Sequence, residues 1–270
     1  MRLASYTTLA HLARSNVLDV YDAWCDDRRC RVILKTLRPD RRGDARARAA
    51  LLREGRLLRR LSHPHLVRGY DVLDGPLPAI VLETLGGETL AHLVERRERR
   101  LSARELGFLG LHLCSAVGYL HRQGLLHLDL KPSNVIAEGG RAKVIDLSLA
   151  RRAGRVRPGT GTWCYLAPEQ ARGDEVGSAA DVWGLAGVLF EAATGECAFD
   201  DERDTAEHPQ LLRRAEPVRS LRRGLARPLA DAIDACLAPD PAVRPRLEQL
   251  AMACEAATGL PAKDRRFALV

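Results

Sequence analysis

The chain has 270 residues, a formal net charge of +7 at pH 7 and an isoelectric point near 9.3. Hydrophobic residues make up 46% of it and charged residues 29%, and no apolar run reaches the roughly 18 residues that a membrane-spanning helix requires. These values exclude a membrane-spanning protein and predict one large globular domain or two lobes. The N-terminus also lacks the apolar segment and cleavage site of a signal peptide, so we expect a cytoplasmic protein.

The positive charge is compatible with a nucleic-acid or acidic-membrane partner, but the composition argues against both. Aromatic residues make up only 4% of the chain, and the Arg residues are dispersed along it. A nucleic-acid partner is therefore not expected, because few side chains can stack on bases and the basic residues form no single stripe.

Lysine and cysteine usage each carry information. Only four of the 42 basic residues are Lys, at positions 35, 131, 143 and 263. Such a bias suggests that Lys is kept where a compact ammonium group is needed. The seven cysteines include no C-x-x-C pair, which favours buried, reduced thiols over a zinc site or a disulfide framework.

The first third of the chain predicts strands and one helix. Alternating β-branched and aromatic residues predict a hairpin from 18–25 and 29–37 around the turn DDRR. Apolar residues at helical spacing predict a helix from Ala45 to Leu61, which the stretch SHPH ends. Two further strands are expected at 67–73 and 78–83, separated by Gly and Pro.

The rest of the chain predicts mainly helices. Ser178 is the expected N-cap of a helix that ends at Gly195. A short strand pair is expected within 134–146, and the other helices are expected at 89–99, 102–123, 225–237 and 245–257. The predicted class is therefore α+β, with a small β-rich N-terminal lobe (about 6–86), a mainly helical C-terminal lobe (87–257) and a tail (258–270).

The stretch HLDLKPSN, residues 127–134, carries the strongest chemical signal. It lies between a predicted helix and the predicted strand pair, so Asp129, Lys131 and Asn134 can converge with Asp146. Such a set of cations and oxygen ligands suggests a phosphate and Mg²⁺. The alternative is a solvated polar turn, because a pattern of this length also arises by chance.

From about residue 6 to about 257 the sequence resembles the eukaryotic-type serine/threonine protein kinases of bacteria, as a divergent member. VILK resembles the strand with the ATP-binding lysine, LLREGRLLRRLSHPHLV the helix with its glutamate partner, and HLDLKPSN the catalytic loop. KVIDLSLAR resembles the magnesium-binding segment, GTWCYLAPE the end of the activation segment (146–168), and DVWGLAGVLFEAATG the central helix of the large lobe. DPAVRP also matches, and the resemblance implies a two-lobed kinase fold in which Arg244 pairs with Glu169.

The resemblance also implies a role for each matching residue. Asp129 would be the base that activates the acceptor hydroxyl, and Lys131 would neutralise the transferring phosphoryl group. Asn134 and Asp146 would bind Mg²⁺, or Mn²⁺ in its place. The residues expected to bind ATP are Lys35, Glu54, Ala13, Ser15, Val20, Ile33, Glu83, Leu85 and Ile136. Asp181 would cap the catalytic loop, and Thr162 would hydrogen-bond Asp129.

Four positions depart from the family pattern. The segment from Ala13 to Val20 has none of the three glycines of the phosphate loop, and side chains there restrict the approach of the backbone to phosphates. Ile33 replaces an alanine above the adenine, and Ser148 replaces the glycine of D-F-G. Leu128 replaces the arginine that contacts an activation-loop phosphate, which predicts no switch of that kind. Thr160 is the expected exposed hydroxyl of the activation segment.

These features favour an ATP- and Mg²⁺-dependent phosphotransferase that acts on Ser or Thr hydroxyls of a protein. Every charged residue that the chemistry needs is present. A chain without catalytic demand could lose any of them and keep its fold, so their presence favours activity. The alternatives are a pseudokinase that acts as a nucleotide-binding or non-catalytic scaffold, and a small-molecule kinase on the same fold. A protein substrate or a regulatory protein is the expected partner.

Overall fold

The computed structural model describes residues 2–96, 100–199 and 208–261. The chain divides into two compact units. The N-unit comprises the residues up to Gly86 together with Ile145–Ser148, and the C-unit comprises Gly87–Val144 and the residues from Leu149 onward. None of the helices in the described ranges is both long enough and apolar enough to cross a membrane.

The N-unit contains a six-stranded antiparallel sheet with the strand order β1-β2-β3-β4-β6-β5. The strands are β1 (Arg2–Leu3), β2 (Tyr6–Arg14), β3 (Leu18–Cys25), β4 (Cys30–Leu37), β5 (Gly69–Leu73) and β6 (Ala79–Glu83). The predicted hairpin is confirmed, because β3 and β4 pair along their whole length from Leu18↔Leu37 to Cys25↔Cys30. Side chains opposite each other in such a ladder share one face of the sheet.

Helix α1 (Ala45–Arg60) packs on this sheet, and the helix predicted from Ala45 to Leu61 is confirmed. The side chain of Asp44 caps it by accepting hydrogen bonds from the backbone N–H groups of Arg46 and Ala47, both at 3.0 Å. A β-carbon on Gly55 would lie 2.2 Å from Ile80 Cγ2, so this glycine lets the helix approach β6 closely. The close approach brings Glu54, the preceding residue of the helix, to the sheet.

The C-unit is mainly helical. The long helices α3 (Ala103–Arg122) and α5 (Ser178–Thr194) form its centre, and 14 of the 17 residues of α5 are buried. Its other helices are α2 (Leu90–Glu95), α4 (Pro168–Arg172), α6 (Val218–Leu221), α7 (Arg227–Cys236) and α8 (Leu247–Ala257). Its strands are β7 (Glu88–Thr89), β8 (Val135–Glu138), β9 (Arg141–Val144), β10 (Gly154–Arg155) and β11 (Glu175–Val176). The predicted α+β class and the strand pair within 134–146 are confirmed.

Two details of the predicted secondary structure need correction. The N-cap of α5 is Gly177, because Ser178 already has helical geometry and no side chain caps this end. Strand β2 was not predicted as a strand, since two register shifts against β3 interrupt its alternation and most of its side chains are exposed. The helix predicted at 89–99 is observed at Leu90–Glu95, and residues 97–99 lie outside the described ranges.

All seven cysteines are free thiols, as predicted. Cys25, Cys114, Cys236 and Cys254 are buried, whereas Cys30, Cys164 and Cys197 are half-buried.

Candidate active site

The N-unit holds a buried ion triad. Lys35 on β4 donates to Glu54 Oε1 at 2.8 Å and Oε2 at 3.1 Å, and to Asp146 Oδ2 at 2.9 Å. The side chain of Lys35 is 10% exposed and that of Glu54 only 1%, whereas that of Asp146 is 26% exposed. The predicted pair of Lys35 and Glu54 is therefore confirmed, and Asp146, the most exposed member of the triad, is the residue expected to bind metal.

The triad shifts the pKa of each member. Burial alone would lower the pKa of Lys35, but the charges of Glu54 and Asp146 outweigh it and raise that pKa above its ordinary value. Burial raises the pKa of Glu54, and Lys35 offsets this only in part. Burial would also raise the pKa of Asp146, but Lys35 and hydrogen bonds from Ser148 hold it well below its usual range. Asp146 is therefore ionised at neutral pH, as a metal ligand must be.

The sheet brings several of the expected ATP-binding residues onto the face that carries Lys35. Ala13 pairs with Val20, and Val20 pairs with Lys35, so these three side chains form one row across β2, β3 and β4. Ile33 lies two residues before Lys35 on the same face. This face is half-buried to exposed at Ala13, Val20 and Ile33, which leaves an apolar surface beside the ammonium group.

The remaining expected ATP-binding residues lie elsewhere. Glu83 ends β6, and its Oε1 accepts from the backbone N–H of Arg68 at 2.8 Å. It pairs with Val32, so it does not share the face of Ile33 and Lys35. Leu85 follows β6 and is half-buried. Ile136 lies on β8 in the C-unit, where it is also half-buried.

The turn between β2 and β3 replaces the glycine-rich loop and closes on itself. Ser15 Oγ accepts from the backbone N–H of Leu18 at 2.9 Å and of Val17 at 3.2 Å. The backbone N–H of Ser15 donates to the carbonyl of Leu18 at 2.8 Å. We expected Ser15 to bind ATP, but in this turn its hydroxyl and the neighbouring N–H groups hydrogen-bond within the turn.

Charged side chains brace the same turn. Asp19 Oδ1 accepts from Arg14 Nε at 2.7 Å and lies 2.9 Å from His11 Nε2. The hydrogen bond from Arg14 and then that from His11 hold the pKa of Asp19 below its usual range despite its burial. Arg14 and His11 are 54% and 40% exposed and cover the carboxylate from solvent. The missing glycines are therefore replaced by a closed, charge-braced turn.

The C-unit holds the catalytic-loop set. Thr162 Oγ1 donates to Asp129 Oδ1 at 2.6 Å, as expected, and accepts from Lys131 Nζ at 2.6 Å. Lys131 Nζ also lies 3.1 Å from Asp129 Oδ2. The three side chains thus form a closed triangle, with Asp129 12% and Lys131 23% exposed. The carboxylate that we expect to accept a proton is held in one orientation by a hydroxyl and an ammonium group.

Asn134 completes this set. Its Nδ2 donates to the carbonyl of Asp129 at 2.9 Å and to Asp129 Oδ2 at 3.2 Å. Because the amide nitrogen is used in this way, the amide oxygen is the atom left to bind a cation. An amide oxygen and a carboxylate are both ligands that Mg²⁺ accepts alongside phosphate oxygens and waters, so Asn134 and Asp146 each carry a group that fits the expected ion.

Buried contacts fix the backbone before Asp129. Asp181 on α5 accepts from the backbone N–H of His127 and of Leu128, each at 2.8 Å, and this confirms the expected cap. Leu128 is 3% exposed and has φ of +63°, a conformation that a leucine seldom adopts. Its side chain is part of the core, so the position that carries arginine in the family does not present a cation here.

The activation segment is ordered by contacts within the C-unit. Leu126 bridges Arg151, and β10 pairs with β11. The expected pair of Arg244 and Glu169 is present, with two hydrogen bonds of 2.7 Å and 2.8 Å. Thr160 was expected to be exposed but is half-buried, and its hydroxyl donates to the carbonyl of Arg157 at 2.7 Å.

Sequence reasoning missed the role of Gln170. It follows Glu169 in α4, is 2% exposed and contacts both the catalytic loop and the activation segment. The glutamine lies one residue beyond the APE motif, and nothing in its own sequence context marks it as different from a surface residue.

These two sets of residues, on this fold, are the sets that the resemblance to protein kinases implies. The chain matches the family described as protein kinase domain over residues 6–253 and belongs to that family.

Curated relatives agree with this assignment. Serine/threonine-protein kinase PknB of Mycobacterium tuberculosis is 32% identical over 224 residues, which cover 78% of this chain and 36% of the relative. A protein of Streptomyces coelicolor named as a probable serine/threonine-protein kinase is 32% identical over 235 residues, covering 82% of this chain and 35% of the relative. CBL-interacting protein kinase 4 of Oryza sativa is 33% identical over 219 residues, covering 77% of this chain and 48% of the relative. The chain spans about a third of the length of the two bacterial relatives.

Proposed function

We propose that this chain is an ATP-dependent kinase that transfers the γ-phosphoryl group to Ser or Thr hydroxyls of a protein. The observation that carries the proposal is the triangle of Asp129, Lys131 and Thr162, in which every contact is between 2.6 and 3.1 Å. Membership of the protein kinase family and the names of the relatives support the same activity.

The phosphates of ATP would interact with Lys35, which Glu54 orients and keeps charged. The raised pKa of Lys35 supports this role, because the ammonium group stays protonated at any physiological pH. The apolar side chains of Ala13, Val20 and Ile33, which share one face of the sheet, would cover the adenine. Glu83, Leu85 and Ile136 remain proposed contacts to the same nucleotide.

A divalent cation would be held by Asp146 and Asn134, and Mg²⁺ is the ion that these ligands and a triphosphate suit best. When bound, it would neutralise charge on the β- and γ-phosphates. Mn²⁺ accepts the same oxygen ligands and is the proposed substitute.

Asp129 would accept the proton of the acceptor hydroxyl as that oxygen attacks phosphorus. Thr162 holds one oxygen of the carboxylate, and Lys131 lies beside the other, where its charge would stabilise the transferring group. Selection of Ser and Thr over Tyr hydroxyls is proposed from the family resemblance and from Thr162. A protein substrate and a cytoplasmic location also remain predictions.

A nucleotide-binding pseudokinase is the second candidate, and the closed β2–β3 turn favours it. A turn whose N–H groups already serve Ser15 offers fewer donors to phosphates than a glycine loop does. Lys35, Asp146 and Asn134, the residues proposed to bind the phosphates and the cation, are nevertheless present in the sequence. Both candidates bind nucleotide, and they differ in whether the phosphates are held firmly enough for transfer.

The experiment is a transfer assay with γ-labelled ATP, Mg²⁺ or Mn²⁺, and casein or myelin basic protein as a general acceptor. Asp129→Asn and Lys35→Met should each lower the transfer rate by about 100-fold or more. Asp231→Asn and Lys143→Met are matched controls, since Asp231 is exposed on α7 and Lys143 lies on β9. They should stay within about twofold of the unmodified protein.

Transfer that survives in Asp129→Asn would refute the proposed role of that residue. Nucleotide-induced thermal stabilisation without any transfer would instead establish the pseudokinase. Transfer to small hydroxyl compounds but not to proteins would indicate the small-molecule kinase.

A further inference from the structure

Gln170 links three parts of the C-unit through one buried amide. Its Oε1 accepts from the backbone N–H of Ala167 at 3.0 Å. Its Nε2 donates to the carbonyl of Leu128 at 2.9 Å and to the carbonyl of Thr160 at 2.8 Å. Both amide protons are therefore used, one on the catalytic loop and one on the activation segment.

The bond to Leu128 acts on the peptide group that precedes Asp129. The carbonyl of that peptide is held by Gln170, and its N–H, which belongs to Asp129, donates to His127 Nδ1 at 3.2 Å. Because a peptide group is planar, holding both ends fixes the direction in which the chain enters Asp129. Asp181 fixes the two N–H groups before it.

The conformation of Leu128 shows why such a constraint is needed. A left-handed leucine costs of the order of 1–3 kcal/mol and persists only where its surroundings hold it. Gln170 holds the carbonyl and Asp181 the N–H of this residue. Without the amide, the peptide would be free to rotate toward an ordinary conformation and move Asp129 with it.

Gly161 keeps space for this contact. Its φ is +131°, and a β-carbon on it would lie 3.1 Å from both Gln170 Nε2 and the carbonyl oxygen of Leu128. A side chain there would be strained and would push on the hydrogen bond itself.

We propose that Gln170 is a positioning residue for Asp129, and that it couples the order of the activation segment to the catalytic loop without a phosphate. The inference rests on the proposed function. The coupling needs only the carbonyls of Leu128 and Thr160 and the neutral amide of Gln170. It therefore does not depend on the arginine that would contact an activation-loop phosphate, which Leu128 replaces.

The test compares Gln170→Met with Gln170→Glu, using Gln123→Met as the control because Gln123 is exposed after α3. Methionine keeps the length and removes both donors, so kcat should fall by about tenfold or more while KM for ATP stays within about twofold. An ionised glutamate would face two carbonyls and should be equally impaired at pH 8. Once protonated it can donate one hydrogen bond, so its kcat relative to the unmodified protein should rise several-fold from pH 8 to pH 6.

Hydrogen exchange provides a readout that needs no turnover. Peptides covering 126–130 should exchange about tenfold faster in Gln170→Met, and those covering α7 should not change. Failure of the unmodified protein to transfer phosphate would overturn the proposed function but leave this comparison decisive. If Gln170→Met does not fold, Gly161→Ala replaces it, with the same expected losses. An unchanged kcat, a flat pH ratio for Gln170→Glu or unchanged exchange at 126–130 would each overturn the proposal.

Discussion

The catalytic loop and the β2–β3 turn both depart from the family pattern, and side chains hold them in different ways. In the catalytic loop, buried residues distant in sequence hold the backbone, among them Asp181 and Gln170. In the β2–β3 turn, Ser15 holds its own neighbours and exposed Arg14 and His11 hold Asp19. The catalytic loop therefore depends on residues of α4 and α5, whereas the turn is held by residues of β2 and β3 and by Arg38 directly after β4.

This contrast explains how each departure is tolerated. A leucine with φ of +63° is stable at position 128 because both of its backbone groups have buried partners. The loss of three glycines is tolerated at the turn because Ser15 supplies an acceptor for the N–H groups that would otherwise face solvent or phosphate.

The largest expected effect is at Asp181, one of the two buried aspartates that support these regions. Asp181→Ala leaves two buried N–H groups without an acceptor and should lower the free energy of unfolding by about 3 kcal/mol. Asp19→Ala should cost much less, since Arg14 and His11 can return to water. Urea denaturation of both variants measures the difference, and equal losses would contradict the contrast.

Lys35→Met tests a buried contact in the unit that contains the turn. Removing one partner of a buried ion group costs several kcal/mol, and protonation of Glu54 relieves part of it, so we expect a loss of about 2 kcal/mol at pH 8. Without the ammonium group, the pKa of Glu54 lies still further above its unfolded value. A group with a raised folded pKa favours folding at low pH and loses that contribution as the pH rises.

The deficit of Lys35→Met relative to the unmodified protein should therefore shrink from pH 8 to pH 5. Thermal denaturation across this range measures it, with Lys143→Met as the control. A deficit that is constant or grows toward pH 5 would contradict the assigned shift of Glu54.

Thr162→Val and Thr160→Val form a matched pair within the activation segment. Thr162 bonds Asp129 and Lys131 directly, so its loss should lower kcat by about 10- to 100-fold. Among the contacts described, the Thr160 hydroxyl donates only to the carbonyl of Arg157. Replacing Thr160 should therefore leave kcat within about twofold of that of the unmodified protein. Steady-state kinetics at saturating ATP separate the two, and equal losses would show that the segment needs the hydroxyl of Thr160.

The smallest effect is expected at the turn itself. Ser15→Ala removes the acceptor for two N–H groups and should change the dissociation constant for ATP by less than about threefold. The measurement is a calorimetric titration with Mg²⁺ present, and Ser178→Ala, an exposed position at the start of α5, is the control. A tenfold change in either direction would show that the turn contributes to phosphate binding.

The regular parts of the fold were readable from the sequence, since the hairpin of β3 and β4 and helices α1 and α3 have strong periodicity. Strand β2 was not, because its bulges break the alternation and its side chains contribute little to the core. The N-cap of α5 was misplaced by one residue because Ser178 fits a cap as well as Gly177 does in sequence alone.

The charged site residues could be predicted from the sequence because few other residue types can supply the same chemistry. Lys35 with Glu54, and Asp129 with Thr162, have the contacts that the resemblance implied. The closed turn at Ser15 and the hydrogen bonds of the Gln170 amide could not be predicted from the sequence. Both depend on where backbone carbonyls and N–H groups lie. Such contacts follow from the three-dimensional path of the chain and leave no pattern in residue type.

The most direct test asks whether the catalytic loop is ordered without a phosphate, and it is a progress curve for phosphate transfer. The protein is first treated with a phosphatase and shown by mass spectrometry to carry no phosphate. We predict a linear curve from the first time point, unaffected by earlier incubation with ATP, and its loss in Asp129→Asn. A lag that shortens after incubation with ATP would show that a phosphate is needed to order the catalytic loop. That result would contradict the proposal that Gln170 and Asp181 order the catalytic loop without a phosphate.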